Sequence, residues 1–140
     1  MEQQQSEEQQ IEQLHTLVQE EIARLKEMSQ PIARVCGPLT SGGGLGYEKN
    51  AERLTRATDI LKERGYSVWD WAPSEVYIKD MTLPWPTIME EFHKPILQSG
   101  YITEAFFLPS WEQSNGAKAE HDYAETAHVA VKEFPEAWFE

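Results

Sequence analysis

The most chemically pointed residue in the chain is a carboxylate set among alanines. Residues 115–127, NGAKAEHDYAETA, have a helical composition, and at helical spacing Ala117, Glu120, Ala124 and Ala127 fall on one stripe. A stripe of small residues faces a neighbouring element, so Glu120 is expected to lose much of its hydration. An isolated buried carboxylate is costly, and it either finds a partner or holds its proton more tightly. The plainer account is a glutamate that leans out to water or bonds a nearby backbone group. Ser114 stands where it can cap this helix, and its hydroxyl would equally suit a phosphate or sugar oxygen. Gly116 and Ala117 leave room for a ligand to approach the backbone.

A second cluster lies near residue 40. Gly42, Gly43, Gly44 and Gly46 follow an apolar run and precede a helical pattern, with Thr40 and Ser41 as hydroxyl donors beside them. Such a loop can turn its N–H groups on an anion, or it can be a plain flexible turn. It is neither G-x-G-x-x-G nor a Walker motif. His93 is a candidate proton donor to a leaving group, or else a surface histidine. Trp71, Trp85 and Trp111 fall in or near the loops that would surround a ligand and could stack on a flat ring, while Trp69 reads as core. His121 and Asp122 adjoin Glu120 in sequence but point to other helix faces, and the four histidines are too dispersed for a metal site. No metal and no cofactor is expected.

These residues need elements to hold them. Ile11, Leu14, Val18, Ile22, Leu25 and Met28 recur every three or four residues and predict an amphipathic helix, after an acidic, polar start. That helix packs either on its own domain or on another subunit. The segment IARVC then predicts a strand, residues 47–64 a helix with Ala51, Leu54, Ala57 and Leu61 inside, and YSVWDW a second strand. Residues 72–86 carry three prolines and read as irregular. A helix over about 87–98 must bend or shorten at Pro95. YITEAFFLP is a third strand, the Glu120 helix follows, and HVAVKEF is a fourth. This order predicts a small three-layer α/β domain over 31–140, Rossmann-like or flavodoxin-like, with a parallel sheet of four to five strands, preceded by a tail and helix over 1–30. In such sheets ligands bind beyond the C-terminal strand ends at the switch point. The glycine loop and the loop before Glu120 would meet there.

Composition sets outer limits. The 140 residues are 40% hydrophobic, which suits one domain with a core. A net charge of −12, with 12 scattered Lys and Arg, argues against a nucleic-acid partner. No apolar run approaches membrane-spanning length, so no membrane partner is expected. The start carries no apolar secretory core, and the single cysteine, Cys36, cannot form an internal disulfide. A reducing, cytoplasmic setting is the expectation.

The blocks VCGPLTSGGG and SNGAKAE, in that order, resemble the nucleoside 2-deoxyribosyltransferase-like superfamily, which includes the 2′-deoxynucleoside 5′-phosphate N-hydrolases. The resemblance covers roughly residues 32–132 and rests chiefly on the Ser-x-Gly-x-x-x-Glu element, here Ser114, Gly116 and Glu120. It implies that Glu120 attacks the anomeric carbon of a nucleoside or nucleotide, and that Gly37, Gly42, Gly43 and Ser114 line the sugar or phosphate site. It also implies sites completed by a neighbouring subunit, hence at least a homodimer. The chain departs from the pattern in three places. Arg34 stands where an aromatic hydroxyl usually holds the nucleophile, so that Tyr47 would have to substitute. The helix segment MEEFHKPIL has no aspartate, and Glu104 replaces an aspartate early in the third strand. A nucleotide-binding domain without catalysis, or an assembly protein that keeps the fold, is the alternative.

Overall fold

The computed structural model describes residues 6–39 and 46–139. The Thr40, Ser41, Gly42 and Gly43 candidates, with Gly44, fall outside those residues.

Helix α1 (Glu7–Glu27) starts at a capping box in which the Ser6 hydroxyl accepts from the Gln9 amide, and the Gln9 side chain bonds back to Ser6. Its periodic stripe, including Leu14, Leu17, Val18 and Leu25, is buried within this chain's own core. Each such side chain contributes roughly 1.5–3 kcal/mol on burial. Two polar latches accompany it: the Gln10 amide and the Thr82 backbone and hydroxyl exchange hydrogen bonds of 2.9 Å, and Glu21 is buried among partners described below.

Strands β1 (Ile32–Cys36), β2 (Ser67–Val68), β3 (Ile102–Phe107) and β4 (Ala130–Glu133) form one all-parallel sheet in the order β2-β1-β3-β4. All five residues of β1 are buried, as a strand covered on both faces requires. Ladder pairing is shorter than the run YSVWDW suggests, although the Trp69 amide extends it with a 2.9 Å bond to the Ala33 carbonyl.

Period-two alternation sends β1 side chains to two cores. Ala33 and Val35 pack with Leu54, Ala57 and Leu61 of α2 (Tyr47–Glu63) and with Phe134. Trp138 closes that layer, stacked beneath the Arg64 guanidinium at 3.8 Å. Ile32 and Cys36 face the other layer, which holds α1, the helical run before β3, and α6 (Asn115–Thr126). Three layers result, with the switch point between β1 and β3.

Residues 72–86 are less irregular than their prolines suggest. Helix α3 (Ala72–Ile78) carries Pro73 in its first turn, where a missing N–H costs nothing. Helix α4 (Trp85–Ile88) begins just after Pro84. The chain then widens into a π-helical turn, Met89–His93, before α5 (Lys94–Leu97). That turn takes up the disturbance expected at Pro95, so the helical run continues without a break. No helix among the described residues is long and apolar enough to cross a membrane.

Candidate functional site

The C-terminal half of β1 and the N-terminal half of α6 meet over one cavity of about 360 Å³, within the ~300–1,000 Å³ usual for small-molecule sites. Gly37, Ser114, Gly116, Ala117, His93 and Glu120 all line it. The Ser114 hydroxyl accepts from the Ala117 amide at 3.2 Å and caps α6. Ala117, Glu120 and Ala124 are its buried residues, so the alanine stripe faces inward as its spacing implies. At Gly37 a Cβ would stand 2.8 Å from the Leu108 side chain, so the chain can leave β1 there only as glycine without displacing Leu108. At Gly116 the nearest atoms to an added Cβ are 3.7 Å away or more, which leaves the cavity floor open.

Glu120 is 7% exposed, and its partner is Arg34 on β1, 2% exposed. Arg34 Nη2 donates to Glu120 Oε2 at 2.6 Å and to His93 Nδ1 at 2.7 Å. The guanidinium lies over the Trp69 ring, 4.4 Å from its centroid. Burial pushes the Glu120 carboxyl upward; the Arg34 charge and hydrogen bonds from Cys36 and Arg34 pull it back. Burial also raises the Cys36 thiol well above its usual range, with the Glu120 charge adding to the rise. Burial, and then the Arg34 charge, push His93 well below its usual range. A neutral His93 accepts at Nδ1 and keeps its proton on Nε2. Arg34 Nε and Nη1 find no hydrogen-bond partner among the described residues.

Behind Arg34 stands α1. Glu21, 3% exposed, accepts from Trp69 Nε1 at 2.6 Å and from the Ser74 hydroxyl at 3.0 Å, and pairs with Arg24. A continuous chain Glu21–Trp69–Arg34–Glu120 thus runs from α1 to α6.

Other candidates lie elsewhere. Tyr47 opens α2 and lines a separate, wider trough along that helix, with no hydrogen bond to Glu120 among the described residues. The holding role foreseen for Tyr47 falls to Arg34, which reaches Glu120 directly from the neighbouring strand. Trp111 stacks on His121, ring centroids 4.4 Å apart and planes 4° apart, and packs on Phe107; it is not in the cavity wall. His93 sits in the cavity wall and not on the outer surface. His121, Asp122 and Glu125 offer atoms within 4.8 Å of one another, but His121 is already paired with Glu125 at 2.7 Å and stacked on Trp111. Arg34, Glu21 and Glu75 were not singled out as site residues from sequence. Glu75, on α3, is 8% exposed, lines the cavity, and has no side-chain hydrogen bond or ion pair among the described residues.

Fold and site together define an open parallel α/β domain with a charge-paired carboxylate at its switch point. By sequence the chain belongs to the family described as Domain of unknown function (DUF4406), whose pattern matches residues 34–133. No curated protein matches the chain significantly. No solved structure does so either.

Proposed function

We propose that the protein cleaves or transfers the N-glycosidic bond of a nucleoside or nucleoside 5′-monophosphate, with Glu120 as nucleophile. The observation that carries this reading is the buried Glu120 carboxylate, held by Arg34 at 2.6 Å on the wall of the switch-point cavity. In the reaction a Glu120 oxygen bonds to the anomeric carbon as the C–N bond breaks, and the electron pair leaves with the base, which takes up a proton. Water, or a second base, then attacks the same carbon, and the carboxylate is regenerated. Negative charge beside a carbon that becomes positive stabilises an oxocarbenium-like transition state. Arg34 opposes the upward push of burial on the attacking group and so favours its ionised form.

A panel of ribo- and 2′-deoxynucleosides and their 5′-monophosphates, with chromatographic detection of free base, tests this. Base release that disappears in Glu120→Gln, with a glycosyl adduct on Glu120 by mass spectrometry, is the expected result. No release from any substrate by folded protein would refute it. The close Arg34 contact also favours a second reading, a domain that binds nucleotides without turning them over. Thermal stabilisation by ligand that survives Glu120→Gln, with no base released, would select it.

Assembly into at least a homodimer belongs to the same proposal. Exposed Val76 and Tyr77 on α3, and Trp85 at the cavity, offer apolar surface beside the site. Light scattering measures it. The buried free thiol of Cys36 fits a reducing, cytoplasmic setting.

A further inference from the structure

Glu75 has no place in the chemistry above, yet it is a buried carboxyl on the wall of the same cavity. It has no side-chain hydrogen bond or ion pair among the described residues, and neither Arg34 Nη2 nor its own-helix neighbour Lys79 reaches it as an ion pair. Its oxygens are not among the enclosed atoms without a partner, so they open onto the cavity, where a ligand group could meet them. The surrounding wall shows what that could be. Trp71, Met81, Leu83 and Trp85 make it apolar and partly aromatic, which suits the faces of a flat ring. The charged end of the cavity, with Arg34 and Glu120, is where the sugar carbon would have to lie. A heterocycle attached to that carbon would extend along the remaining wall.

We propose that Glu75 is the specificity-determining group for the base: its carboxyl, set on the apolar and aromatic wall of the cavity, hydrogen-bonds the edge of the heterocycle. This deepens the nucleoside reading and rests on it. A protonated carboxyl presents one O–H donor and one C=O acceptor in one plane, whereas a carboxylate presents acceptors alone. The neutral form can therefore meet adenine, cytosine or thymine edges with two hydrogen bonds. The ionised form suits two adjacent donors, as on guanine, and is repelled by thymine, whose single ring N–H lies between two carbonyls. Burial pushes Glu75 up to about 7, and the Lys79 charge opposes the rise. Tyr47 on α2 lies close enough that its hydroxyl is raised by burial and then by Glu75 and Asp80. Arg34, His93 and Glu120 share the cavity from β1, the π-helical turn and α6.

The test is binding by calorimetry between pH 6 and pH 8, using carbocyclic 2′-deoxynucleosides and their 5′-monophosphates, which have no glycosidic bond to cleave. Ratios between bases are compared, so that any titration of the phosphate cancels. The adenine, cytosine and thymine analogues should weaken about tenfold relative to the guanine analogue from pH 6 to pH 8, the range in which a group titrating near 7 loses its proton. Glu75→Gln keeps one donor and one acceptor, so it should preserve binding and abolish this pH dependence. Glu75→Leu should lose the discrimination among bases while remaining folded by thermal melting. Ratios that do not move with pH in the natural protein, or discrimination unchanged in Glu75→Leu, would overturn the assignment and leave the nucleoside reading standing. Binding of none of the analogues would overturn both.

Discussion

At the scale of single residues, the site is a balance between burial and one guanidinium. Arg34 and Glu120 are both almost fully enclosed, so each is tolerable only because the other is there. Replacing Arg34 with Met should destabilise the protein by about 3–5 kcal/mol, because it leaves the Glu120 carboxyl buried without its cation. The double variant Arg34→Met, Glu120→Leu should recover most of that loss in urea unfolding, since no lone charge remains. Glu120→Gln should lower base release by at least ~10³-fold, a loss of the size seen when a nucleophile is removed. Steady-state assays that show a smaller loss would point to another attacking group.

Between elements, the residue of most consequence is Glu21, whose position on α1 looks unremarkable in sequence. It accepts from Trp69 and Ser74, and Trp69 in turn lies against Arg34. Glu21→Ala leaves both donors buried and unpaired, a cost of about 1–3 kcal/mol for each. It should also red-shift or broaden Trp69 fluorescence, which a variant at the exposed Glu20 would not do. Here sequence reasoning reached some elements and missed others for identifiable reasons. The inward stripe of α6 was legible because three of its four positions are alanine and helical spacing is regular. Strands β1 and β3 were legible as apolar runs between turns, and β2 and β4 as shorter aromatic or β-branched runs. Helix α3 was missed because prolines in APSEVYIKDMTLPWP suggest irregularity, although Pro73 sits where a helix accepts one. Glu21 and Glu75 were missed because a glutamate on a polar helix face or in a loop-like segment looks solvated. Only the packing of distant segments shows that it is enclosed. Arg34 read as a departure from a pattern; that it reaches Glu120 is a contact across 86 positions, which no local pattern encodes.

For the molecule as a whole, titration couples the site to stability. Glu75 titrates near 7 in the folded chain, against 4.5 for an unperturbed glutamate. The folded state therefore binds more protons than the unfolded state between those values, and stability falls as pH rises through that window. The Glu75 contribution amounts to on the order of 3 kcal/mol, the upward push on Glu120 acts in the same direction, and His93, held well below its ordinary range, acts in the opposite one. Urea midpoints across pH 4.5 to 7.5 should fall in the natural protein relative to Glu75→Leu, a comparison in which the His93 and Glu120 contributions cancel; two profiles that run parallel would contradict the account. The chain from Glu21 to Glu120 has one more implication. The stretch that carries the family signature, 34–133, begins inside β1 and stops before Phe134 and Trp138. A protein trimmed to that stretch would keep every signature residue and still lose Ile32, Ala33, the α1 face over the core and the acceptor for Trp69. The unit of classification is thus smaller than the unit of folding, and a chain that shares the signature need not share the brace that α1 supplies here.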